Sequence, residues 1–78
     1  MKIQFTTHAK SRISERNIDI DYIKLAIKNP DSIEIGSKDI KVRKRIENRT
    51  IVVVYNEKYL KNMIKKFLII TVYYVINN

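Results

Sequence analysis

Apolar positions recur along this chain with two different periods. Between residues 8 and 28 they fall three or four apart: Ala9 and Ile13, then Ile20, Ile23 and Ile27 with Ala26 beside them. That spacing stacks them on one face of a helix. Thr7 suits the N-cap of a first helix running from about His8 to Arg16, and Asn17 suits its left-handed C-terminal residue. Asp19 can cap a second helix over roughly Ile20 to Lys28, which Pro30 ends by forcing the residue before it out of helical geometry.

From residue 32 the period changes to two. SIEI (32–35) is a short strand that Gly36 breaks. In DIKVRKRIE (39–47), Ile40, Val42 and Ile46 alternate with Lys41, Arg43 and Arg45, as in a half-buried strand with one wet, cationic side. Lys44 shares the apolar side, where it needs a partner or a place at the sheet's end. NR at 48–49 reads as a tight turn and TIVVVYN (50–56) as the returning strand. EKYLKNMIKK (57–66) fits a basic loop or a single helical turn equally well. FLIITVYYVI (67–76) is apolar on both faces and rich in β-branched residues. Met1 to Phe5 form an extended or irregular lead-in. The pattern predicts one α+β domain over residues 1–78, two helices followed by a mainly antiparallel four-stranded sheet.

Composition narrows the chemistry. The chain has 78 residues, one histidine and no cysteine. A disulfide framework, a thiolate metal centre and a His-rich metal site are therefore excluded. No metal or cofactor motif is present. The N-terminal stretch lacks the apolar segment of a secretory signal, and the run at 67–76 is about half the length of a membrane-spanning helix. A cytoplasmic protein that does not enter a membrane is expected. Sixteen Lys and Arg against eight Asp and Glu give a net charge of +8, enough on so small a domain to attract a polyanion.

Three groups of residues carry candidate chemistry. His8, Arg12 and Arg16 follow one another at four-residue steps; each step on a helix turns about 400° and rises about 6 Å, so the three form a row roughly 12 Å long. Two guanidinium forks in a row suit phosphate oxygens. A histidine in the first helical turn, near arginines, is disfavoured as a cation, which suits it to act as a base beside a bound anion. The plain alternative is a solvated face, with Arg12 paired to Glu15. Lys41, Arg43 and Arg45 form a second group, either a phosphate-binding face or the charge that protects an edge strand. The third is Thr71 with Tyr73 on one side of the last strand: either Thr71 is a structural hydroxyl, or both face a cleft. Tyr22, Tyr55 and Tyr59 can stack on bases or fill the core.

FTTHAKSRISERNI, NPDSI, VVVY and IITVYY, in that order, resemble the small prokaryotic family called domain of unknown function 4258. Its hallmark, a helix beginning HAxxRxxERxI, is filled by His8, Ala9, Arg12, Glu15, Arg16 and Ile18. That family is similar to the RelE-type ribonuclease toxins, which carry helices before a four-stranded antiparallel sheet. The resemblance implies a catalytic role for His8, phosphate binding by Arg12 and Arg16, and a part in the site for Thr71 together with Tyr73. Arg43 and Arg45, with Lys41, are chosen as further RNA contacts on facing alone.

The expected activity is that of a toxin-antitoxin endoribonuclease needing no metal, which cuts RNA by 2′-hydroxyl attack and leaves a 2′,3′-cyclic phosphate. Its partners would be RNA, free or on the ribosome, and a cognate antitoxin protein. The alternative is a non-catalytic module that binds nucleic acid or a protein through the same basic face.

Overall fold

A computed structural model describes residues 2–76. Met1 of the expected lead-in lies outside the described residues. Seven elements follow in order: β1 (Lys2–Phe5), α1 (Thr7–Arg16), α2 (Ile20–Lys28), β2 (Ser32–Ile35), β3 (Ile40–Ile46), β4 (Arg49–Tyr59) and β5 (Lys65–Ile76). The strands form one sheet in the order β1-β5-β4-β3-β2. Only β1 against β5 is parallel.

The sheet has five strands rather than the four expected. β1 alternates over only four residues, with Ile3 and Phe5 toward the core, and the partners of Lys2 to Phe5 are Lys66 to Ile69 at the far end of the chain. Nothing local announces such a pairing. The segment 57–66 is neither loop nor helical turn over most of its length. It prolongs the β4–β5 hairpin, with Tyr59 opposite Lys65, and turns only at 60–64. This long ribbon contributes to the molecule's 43 Å extent against 25 and 22 Å across.

Both helices lie on one face of the sheet, α1 against β5 and β1, α2 against β4 and β3. The core between them joins Ala9, Ile18, Ile23 and Ala26 to Val42, Ile51, Val53, Tyr55, Ile69 and Val72. Ala9 is fully buried, and its small side chain lets α1 approach the sheet closely. Tyr55 meets Phe67 edge to face at 5.5 Å, so it is a core residue; burial pushes its phenol above the usual range. Tyr22 also packs against the core, and Tyr59 is exposed.

β5 supplies Ile69 and Val72 to the same core although they are three residues apart. A bulge makes this possible. Val54 faces Thr71 while Tyr55 faces Ile69, so Ile70 is an extra residue and the alternation changes phase there. In a run apolar on both faces the phase change leaves no mark in the sequence.

Helix α1 starts one residue earlier than expected. Its N-cap is Thr6, not Thr7: the Thr6 hydroxyl accepts from the Ala9 N–H at 3.1 Å and donates to the Ile70 carbonyl at 2.9 Å. Of two adjacent threonines, only the one beside the bulge gains both bonds. Asn17 is left-handed (φ 51°) and Asp19 caps α2, as the sequence reading has it. The β3–β4 turn is Glu47–Asn48 rather than 48–49, since Ile46 pairs with Arg49. Glu47 holds the positive φ of 59° there.

Replacing Thr6 by Val removes both hydroxyl bonds at nearly constant volume. A loss of about 1–2 kcal/mol is expected. Thr7→Val, which alters no cap, should cost clearly less. Urea denaturation of the two variants beside wild type measures the difference.

Candidate functional site

Strand β1 runs beside β5 only as far as Phe5 opposite Ile69. One more bond, Thr6 N–H to the Ile69 carbonyl at 3.0 Å, continues the ladder, and then the chain turns into α1. The helix therefore lies beside the length of β5 that β1 leaves uncovered. A groove of about 320 Å³ forms between them, lined by His8, Arg12 and Arg16 from α1 and by Thr71, Tyr73 and Tyr74 from β5. His8 and Arg16 are exposed; the other four are half-buried. Thr71 and Tyr73 thus belong to a cleft.

The groove is cationic. The first turn of α1 holds no acidic side chain, so its exposed N–H groups leave a positive end beside His8. Arg12 has an ion pair with Glu15 at 3.7 Å, three residues on. Both partners are solvated, and such a pair is worth little and can yield to a stronger anion. Among the described residues Arg16 has no acidic partner. Tyr74 was not foreseen. It projects to the helix side of the sheet, opposite Ile51. The Arg49 guanidinium lies 3.9 Å from the centre of its ring. Its hydroxyl is buried and has no hydrogen-bond partner among the described residues. An apolar-looking position beside Tyr73 gave no signal of this; only the approach of α1 to β5 creates it.

Lys41, Arg43 and Arg45 do not enter the groove. They stand on the face of the sheet that no helix covers, two strands away, where Tyr73, Val52 and Arg43 form one rung and Thr71, Val54 and Lys41 the next. At ordinary strand spacing this is about 10 Å. Val52 and Val54 are 1% and 9% exposed with no element over them. The long side chains on either side of these rungs are what screens them. Lys41 and Arg43 both approach Glu34, at 3.9 and 3.8 Å. β3 is an inner strand, so its charge does not serve as protection for an edge.

Arg43 and Arg45 instead line a second, wider cleft with Asp31, Ser32, Lys44, Glu47 and Thr50. Asp31 organises it. One carboxylate oxygen accepts the Arg45 backbone N–H at 2.7 Å and the other the Lys44 ammonium at 3.4 Å. Lys44 thereby has the partner that its place on the helix side requires. The Arg45 N–H, aided by the Lys44 charge, holds the Asp31 carboxyl below its ordinary value.

A family model described as Domain of unknown function (DUF4258) matches residues 5–74. The chain belongs to the DUF4258 family. The match takes in all six residues of the groove. No curated protein and no solved structure matches the chain. Among the described residues of this DUF4258 domain, no three His, Cys, Asp or Glu side chains are grouped as metal ligands. No helix among them is long and apolar enough to cross a membrane.

Two outcomes test these environments. A carboxyl with a depressed folded-state pKa adds stability above its ordinary value of 3.8, and that contribution is lost as pH falls through the lower folded value. Asp31→Asn should therefore be less stable than wild type at neutral pH, with the gap closing in acid; denaturant midpoints at neutral pH and near pH 2 read this. Tyr74→Phe removes a buried hydroxyl that has no partner among the described residues, so stability should hold or rise by up to about 1 kcal/mol. A clear fall in melting temperature would mean that the hydroxyl is bonded.

Proposed function

We propose that this DUF4258 domain is a RelE-like endoribonuclease toxin that needs no metal and holds a scissile phosphate in the α1–β5 groove. The observation that carries the reading is the meeting of His8, Arg12 and Arg16 with Thr71 and Tyr73 in that groove, since the two sets come from opposite ends of the chain. A solvated helix face would not require hydroxyl groups opposite it.

RNA brings its own nucleophile, so the protein need supply only proton transfer and charge stabilisation. His8 takes the proton of the 2′-hydroxyl. The 2′-oxygen bonds to phosphorus and the bond to the 5′-oxygen breaks. Tyr73 gives a proton to that leaving oxygen. Arg12 and Arg16 bind the two non-bridging oxygens, whose charge grows in the transition state, and the positive end of α1 adds to the same field. Thr71 fixes the phosphate by a neutral hydrogen bond. The products are a 2′,3′-cyclic phosphate and a free 5′-hydroxyl. A cytoplasmic antitoxin with acidic residues over the groove would hold such an enzyme in check.

Purified protein should cut RNA in EDTA and leave cyclic-phosphate ends, while DNA of the same sequence stays intact. His8→Ala should lower the rate by roughly 10²–10⁴-fold with the fold retained. Arg12→Ala should lower kcat/KM as well. Wild type that binds RNA yet never cuts it, with ribosomes present or absent, would sink the catalytic reading and leave a binding module.

A further inference from the structure

The registers of three strands bring together three lysines that lie far apart in the sequence. Lys66 of β5 has Lys2 of β1 on one side and Lys58 of β4 on the other. They share the face that the helices leave open, because the neighbouring residues Ile3 and Phe67 point into the core. At ordinary strand spacing the row is about 10 Å wide.

Like charges directly opposite one another destabilise a sheet. Four other sheet cations have acids set against them, Glu34 against Lys41 and Arg43, Asp31 against Lys44 and Glu57 against Lys65, while Arg45 bonds the Glu47 carbonyl and Arg49 stacks on Tyr74. Among the described residues, Lys2, Lys58 and Lys66 have no acidic partner. A repulsive rung left unneutralised is suited to an anion supplied from outside.

The row is also aligned with the groove. Lys66 and Thr71 are five residues apart on β5, with the Ile70 bulge between them, which places them roughly 15 Å apart along one open face. We infer that Lys2, Lys58 and Lys66 form a phosphate-backbone site for single-stranded RNA, which runs along β5 from the groove toward the β4–β5 hairpin. The direction of the strand rests on the function proposed above; the anion site does not. An acidic protein would satisfy the charge alone, whereas a nucleic-acid strand also accounts for the alignment with an arginine-lined groove on the same strand.

The test is binding of uncleavable single-stranded DNA, twelve nucleotides or three, to wild type and to the triple variant Lys2→Gln, Lys58→Gln, Lys66→Gln. Removing mutual repulsion should leave the variant folded. For the twelve-mer, the slope of log affinity against log salt should fall by about 2 and affinity by tenfold or more, since each phosphate contact on a single strand contributes about 0.7 to the slope. Binding of the three-mer, which cannot reach from groove to row, should be unchanged. The inference is overturned if the variant binds the twelve-mer as wild type does, or if wild type does not bind it. Loss of polyglutamate binding with twelve-mer binding intact would overturn it in favour of an acidic protein. A length-dependent loss in a protein that never cuts RNA would keep the lysine site and discard only the cleavage reading.

Discussion

The Thr6 hydroxyl accepts the Ala9 N–H and donates to the carbonyl of Ile70, and the Thr6 N–H bonds to Ile69. One residue thus ends the parallel strand, caps the first helix and holds that helix against the point where β5 bulges. Each bond is worth only about 1 kcal/mol, but together they set where α1 begins relative to β5. His8 stands two residues further on, so its position over the groove follows from this anchor. So does the row that runs from it to Arg12 and Arg16.

The bulge is the second half of the same device. Without the extra residue at Ile70, Ile69 and Val72 could not both reach the core, and one end of β5 would turn its apolar side chains to water. With it, Thr71 and Tyr73 come to the open face while Tyr74 stays on the helix side. The groove therefore draws on both faces of one strand. Such an arrangement is available only at a sheet edge, where a helix rather than a strand lies alongside.

Charge is distributed unevenly over this frame. Much of the surplus of eight positive charges has no internal acid to meet it, yet Lys41, Arg43 and Lys44 of β3 are drawn toward Glu34 and Asp31. Among the described residues, Arg16 at the groove and the three lysines of the row have no acid beside them, and Arg12 has only the neighbouring Glu15 of its own helix. Neutralisation thus divides one basic surface into a part that serves the fold and a part left to act on an external anion. Net charge alone does not make that division, because it depends on which residues the registers set side by side.

The sequence by itself determined the helices, the caps Asn17 and Asp19, and the alternation of β3, since these depend on contacts within a few residues. It also placed His8, Arg12 and Arg16 in one row, because helical geometry is local. Apart from the β3–β4 turn, displaced by one residue, what it missed was non-local. β1 is a strand only because Lys66 to Ile69 lie beside it, and Thr6 rather than Thr7 is the cap only because the Ile70 carbonyl is there to accept. The bulge was hidden because both faces of β5 are apolar, so a change of phase alters no hydrophobic pattern. Arg43 and Arg45 share a cationic strand face, but only the tertiary structure set them in a separate cleft. Local periods fix which way a side chain points from its own element; the pairing of distant elements decides what it meets.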